Sequence, residues 1–114
     1  MSKTLDFNTL KRPTLTLVMQ DEDKTRIVLT CPSVDLMEEL RDSLPELEPV
    51  LSAGDREGIE AIYDLTARLV NCNRSFIKVT GADLREKYGM GLEDLIVFYQ
   101  AYVSFIGEIN ETKN

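Results

Sequence analysis

The chain has 114 residues, 43% hydrophobic and 29% charged, with twenty acidic side chains against thirteen basic ones and a formal net charge of -7. That length suits a single domain spanning positions 1–114, able to bury roughly two-thirds of its unfolded surface, and the composition excludes wholesale disorder. A net negative field repels phosphate, which argues against binding to nucleic acid or to an anionic membrane.

An N-terminal arm at 1–13 has no apolar signal-peptide core, and no stretch reaches the length of uncharged apolar sequence that spans a bilayer, so a reduced cytoplasm is the expected compartment. Thr14–Gln20 and Thr25–Cys31 are β-branched, alternating runs on either side of Asp21, Glu22, Asp23 and Lys24. Two such runs around a polar tetrapeptide predict a β-hairpin over 14–31. One face carries Leu15, Leu17 and Met19 with Ile27, Leu29 and Cys31, leaving Thr14, Thr16, Arg26 and Thr30 in water. An isolated hairpin is marginal in water, so helices must cover its apolar face.

Pro32 breaks the second strand and Ser33 is a good N-cap for a helix from Val34 to Ser43, where Val34, Met37, Leu40 and Leu44 recur at helical spacing. Pro45 is expected to end or kink it, with a shorter turn through Leu47, Val50 and Leu51 stopping at Gly54. Asp55 can cap the next helix, whose Ile59, Ile62, Tyr63, Thr66, Leu69 and Val70 form the cleanest amphipathic pattern in the chain. Asn71–Arg74 breaks it, and Phe76–Val79 is a short extended run whose pairing with the hairpin stays open. Thr80 and Asp83 resemble a capping box opening a short helix through Lys87, closed by Gly89. The fold class is therefore α+β: an N-terminal β-hairpin packed on a bundle of three to four α-helices occupying 33–110, with a C-terminal tail from Glu111 that frays. Leu17, Ile27, Leu40, Ile62, Leu69, Leu95, Tyr102 and Ile106 are the expected core.

Chemistry-bearing patterns are few. The chain has no histidine and two cysteines, Cys31 and Cys72, without CxxC spacing, so histidine-assisted nucleophiles and a self-contained zinc site are absent from the sequence. There is no phosphate-binding glycine loop. Asp21, Glu22 and Asp23 begin like a calcium loop but lack its central glycine and terminal glutamate. Glutamate pairs such as Glu38 with Glu39 diverge on a helix, and Lys11 with Arg12 is too small a cluster for a nucleic-acid footprint. No catalytic, cofactor or metal residue is assigned, and the protein is expected not to be an enzyme.

The last helix, Leu92 to Ile109, carries four of the chain's aromatic residues. Leu95, Tyr99, Tyr102, Ile106 and Ile109 make a central stripe, with Ile96 and Val103 on one flank and Phe98 and Phe105 on the other. That apolar arc is roughly 180° wide, against the roughly 100° one core contact requires. The surplus is assigned to Phe98 and Phe105, with Val97 and with Tyr102 between them, as a surface for a partner or a second copy of the chain. Aromatic side chains are enriched where binding energy concentrates.

The opening TLDFNTLKRPTLTLVMQDEDKTRIVLTCP, the middle REGIEAIYDLTARLVNCNR and the close IKVTGADLREKYGMGLEDLIVFYQAYVSFIGEINETKN together resemble the tail assembly chaperones of long-tailed phages and prophages of Gram-positive gut bacteria. The resemblance covers nearly the whole chain and rests on overall pattern, since the family has no catalytic signature. It implies a non-enzymatic protein of the bacterial host cytoplasm that coats the hydrophobic tape measure protein, recruits tail tube subunits, and leaves before the virion is finished. It also implies a minor, longer form made by a frameshift near the end of the coding region. Two other classes fit the same features: a virion component such as a head–tail connector or tail terminator, and a small acidic regulatory protein.

Overall fold

The structure, a computed structural model, describes residues 3–6 and 12–112, with side chains up to Asn110. The remainder of the N-terminal arm, Lys11 included, and Lys113 with Asn114 lie outside the described residues. The order is β1 (Leu15–Val18), β2 (Arg26–Leu29), α1 (Val34–Ala53), α2 (Arg56–Val70), α3 (Gly81–Glu86) and α4 (Leu92–Thr112). This is the expected α+β arrangement, with four helices after the hairpin.

β1 and β2 pair antiparallel, Leu15 opposite Leu29 and Val18 opposite Arg26. The polar tetrapeptide turns the chain: Lys24 donates its N–H to the Asp21 carbonyl at 3.0 Å, and the Asp21 carboxylate accepts the Thr25 N–H at 2.8 Å and the Thr25 hydroxyl. The Thr25 hydroxyl holds the Asp21 carboxyl below the usual carboxylate range. Ile27, Leu29 and Met19 are buried, while Leu15 and Leu17 are half-buried. Cys31 does not join that face: it is exposed, because the strand has ended and Pro32, itself buried, redirects the chain toward α1. Thr16 and Arg26 are exposed as expected, whereas Thr14 and Thr30 are half-buried.

Ser33 caps α1 by accepting the Leu36 N–H at 3.2 Å. The helix does not stop at Pro45. It runs unbroken through Pro45 and Pro49 to Ala53 and ends at Gly54, whose φ of 69° is left-handed. Each proline removes one backbone donor. The two are four residues apart and both exposed, so the carbonyls they orphan, those of Arg41 and Pro45, lie along the outer side. The apolar series Leu40, Leu44, Leu47, Val50, Leu51 continues across them and packs on the core. Packing of that stripe outweighs the two lost hydrogen bonds.

α2 buries Ile62, Tyr63, Leu65, Thr66, Ala67, Leu69 and Val70, the face its periodicity gave plus the flanking Leu65 and Ala67; Ile59 at its start is half-buried. Asp55 sits at the N-cap but makes no side-chain cap bond. An ion pair between Arg68 and Glu39, 2.6 Å, ties α2 to α1, and with both side chains half in water it contributes under about 1 kcal/mol.

Residues 71–79 form a loop built on two asparagines. Asn71 donates to the Val79 carbonyl and accepts its N–H, at 2.9 and 2.7 Å. Asn73 donates to the carbonyls of Val70 and Ile77 and accepts from the N–H groups of Ser75 and Ile77. The run 76–79 forms no strand. The segment before it meets β2 instead, through an isolated bridge between Leu29 and Asn73 and through Arg74 N–H to the Val28 carbonyl at 3.0 Å. The Thr80–Asp83 capping box forms in full and opens α3. Gly81 lets α3 close on α2: a Cβ there would lie 2.7 Å from the Asp64 carboxylate and 3.3 Å from its backbone nitrogen.

Candidate interaction surfaces

α4 follows a turn fixed from three directions. Tyr63 of α2 donates its hydroxyl to the Met90 carbonyl at 2.5 Å, Gln20 after β1 donates to the Tyr88 carbonyl at 3.3 Å, and Asp94 accepts the Gly91 N–H at 2.8 Å. The helix that leaves this turn continues through Glu111 and Thr112.

Its rotation corrects the expected division of its apolar arc. Phe98 and Phe105 are 5% and 3% exposed and Tyr102 is fully buried. The three rings form one chain, Phe98 stacked on Tyr102 at 5.3 Å and Tyr102 edge-on to Phe105 at 5.6 Å. They are core, not surplus. Of the four residues assigned to partner contact, Val97 alone is exposed, at 64%. The central stripe holds for Leu95, Tyr99, Tyr102 and Ile109, which are buried, while Ile106 is only half-buried at its edge. The surplus lies on the other flank, where Leu92, Ile96 and Val103 are 37%, 47% and 45% exposed.

Two tyrosines on this helix meet different fates. Thr66 gives its hydroxyl proton to the Ile62 carbonyl at 2.7 Å, so Tyr99, 2.7 Å from the same oxygen, is the donor of that second bond. Burial pushes the Tyr99 hydroxyl up to about 12. The buried Tyr102 hydroxyl finds no hydrogen-bond partner among the described residues, and burial pushes its pKa up further.

Two hollows open on either side of α4. On the Val97 side a trough of about 390 Å3 runs between α4 and β1, lined by Leu15, Leu17, Met90, Val97, Phe98 and Ala101 among others. Among the described residues, the strand bordering it pairs on one edge alone. Met19 donates its N–H to the Thr25 carbonyl at 2.8 Å, and antiparallel ladders alternate, so the backbone groups of Thr16 and Val18 point away from β2. On the opposite side a channel of about 810 Å3 lies between α1 and α4. Leu44, Leu47 and Leu51 form one wall, Leu92, Ile96 and Val103 the other, and Glu48 and Glu93 are its charged residues. A smaller hollow of about 380 Å3 continues it past Val103 toward Val34 and Met37.

Among the described residues no group of three or more histidine, cysteine, aspartate or glutamate side chains is placed to hold a metal ion, and no helix is long and apolar enough to cross a membrane. The α1–α4 channel is not legible in the sequence, because Pro45 divides α1 there, and neither is the exposed Phe76, which falls in an extended run. The asparagines at 71 and 73 were the available signal for the loop that presents Phe76, since asparagine side chains readily satisfy a turning backbone. Compared with protein-family models, with curated proteins and with solved structures, the chain matches none.

Proposed function

We propose that this protein is a non-enzymatic phage tail assembly chaperone that holds the tape measure protein in the host cytoplasm and helps recruit tail tube subunits. The resemblance in sequence pattern gives the class. The observation that carries it to a place on the molecule is the trough between β1 and α4. An apolar floor of Leu17, Met90 and Phe98 lies beside the exposed Val97 and Val18, and beside backbone groups of Thr16 and Val18 that no strand among the described residues pairs. Such a surface takes up an apolar client segment by side-chain burial together with main-chain hydrogen bonds. The chain's net charge of -7 keeps the complex dispersed. Val97 is exposed and available for contact, and Phe98 lines the same trough.

Val97→Asp tests this reading. Val97 is mostly in water, so the variant keeps its urea midpoint. Co-expressed with the tail protein encoded immediately downstream, wild type retains that protein in the soluble fraction and the variant leaves it in the pellet. Equal solubility with both, or a downstream gene that encodes no long hydrophobic tail protein, would refute the assignment.

A further inference from the structure

Two features of the molecule are left unengaged by its own fold, and they complement each other. The first is Phe76, fully exposed at 101% of its reference area and at a φ of 57°, a left-handed conformation that is a genuine outlier for a bulky aromatic residue. The loop that presents it is well built: Asn73 accepts the Ser75 and Ile77 N–H groups at 2.9 and 3.3 Å on either side of it, and Asn71 clamps Val79. Phe76 is therefore held out in water by a fixed scaffold. Arg74 and Lys78, both exposed, flank it.

The second feature is the wide end of the channel between α1 and α4, an open apolar socket of about 810 Å3 with Glu48 on one wall and Glu93 on the other. Arg74, Lys78, Glu48 and Glu93 form no ion pair with any described residue. We propose that Phe76 of one copy seats in the α1–α4 channel of another, with Arg74 and Lys78 against Glu48 and Glu93, so that the protein associates head to tail with itself.

Charge selects this pairing over its competitor. A two-fold contact of socket on socket would bring four carboxylates together in a chain that already carries -7, whereas plug on socket sets two cations against two anions. Opposed potentials of this kind fix register and exclude wrong partners. Plug and socket are different patches, so the contact is heterologous: each bound pair keeps one free plug and one free socket, and further copies add in a ring or an open row. The inference goes beyond the tail-chaperone reading and does not depend on it, because the β1–α4 trough lies on the other flank of α4.

Sedimentation over a concentration series tests it with wild type, Phe76→Ser and the double variant Glu48→Lys/Glu93→Lys. All altered positions are exposed, and circular dichroism with urea curves checks that each variant is folded. Wild type is expected to associate in a concentration-dependent way that weakens with added salt. Each variant should associate at least about tenfold more weakly, as loss of an interface anchor does. Mixed one to one, the two variants should yield a dimer and nothing larger, since one supplies an intact socket and the other an intact plug. Arg74→Glu/Lys78→Glu combined with Glu48→Lys/Glu93→Lys should associate again, and it carries the test if Phe76→Ser is misfolded. A wild type that stays monomeric, association unaffected by Phe76→Ser, or a variant mixture that remains monomeric would each overturn the proposal.

Discussion

α2 and α4 are both apolar helices of the same core, and only one of them reveals its orientation in its sequence. α2 sets its buried face against Arg56, Glu57, Glu60, Asp64 and Arg68, all exposed. Charges on the far side leave one rotation in which none of them is desolvated, so periodicity alone identifies the core residues. α4 has charge only near its ends, at Glu93, Asp94 and Glu108 before the terminal turn. Across the roughly three and a half turns between Asp94 and Glu108, either flank of the arc is apolar, and no charged residue forbids either rotation. The choice falls to the neighbours: Phe98 faces β1 across the trough and stacks on the buried Tyr102, and the larger rings take the deeper side. The lesson is that apolar periodicity tells what a helix can bury, and only opposed charge tells what it does bury.

The sharpest way to break this comparison is to treat the Phe98 flank of α4 as surface. Phe98→Ser/Phe105→Ser removes two rings that are 5% and 3% exposed and puts hydroxyls into their place. Each buried phenylalanine lost costs about 3–5 kcal/mol, and the sum rivals the whole stability of a domain this size. The double variant should be unfolded at 25 °C by circular dichroism. A cooperative urea transition near the wild-type midpoint would show that the rings are dispensable to the core.

The same reasoning separates what was legible in the sequence from what was not. The hairpin, the α2 face and the Thr80–Asp83 capping box were legible because each is a local rule with one outcome: alternation around a polar turn, a one-sided stripe, a side chain answering its own backbone. The continuity of α1 was not, since the local rule at Pro45 and Pro49 is a broken helix and only the packing of Leu40 to Leu51 on the core reverses it. The exposed Phe76 was not legible either, since its conformation follows from the hydrogen bonds of Asn71 and Asn73, and hydrophobic patterning does not see them. In the interaction surfaces Val97 was legible, and the channel was hidden by the same proline that divided α1.

A middle-sized effect distinguishes the two tyrosines that α4 buries. Tyr99→Phe deletes a satisfied bond to Thr66 and should cost about 1 kcal/mol, while Tyr102→Phe deletes a hydroxyl without a partner and should be neutral or stabilising. Their pH dependence has a definite sign. A tyrosine whose folded pKa is raised from 10.0 to about 12 contributes stability that is complete below pH 10 and declines as pH rises from 10 toward 12, because the unfolded chain releases the proton first. Tyr102 acts in the same direction. Urea midpoints measured between pH 8 and pH 11 should therefore fall for wild type and fall less steeply for either variant; a wild-type midpoint flat across that range would contradict the burial of both hydroxyls.

An effect of the same small size is expected from the flank of α4 that carries Ile96 and Val103. Ile96 and Val103 lie on the apolar arc of α4 as surely as Phe98 and Phe105 do, yet they are 47% and 45% exposed and line the open channel toward α1. Half of each side chain already meets water, and what remains covered is in contact with a hollow rather than a filled core, so little packing is lost on truncation. Ile96→Ser/Val103→Ser should lower stability by about 1 kcal/mol in total, measured from urea curves at a protein concentration low enough that the chain is monomeric. Set beside the unfolding expected of Phe98→Ser/Phe105→Ser, that difference between two flanks of one helix measures directly how far the neighbours of α4, rather than its own sequence, decide its rotation. A loss above about 3 kcal/mol would mean that α1 closes over the channel in solution and that α4 is buried on both sides.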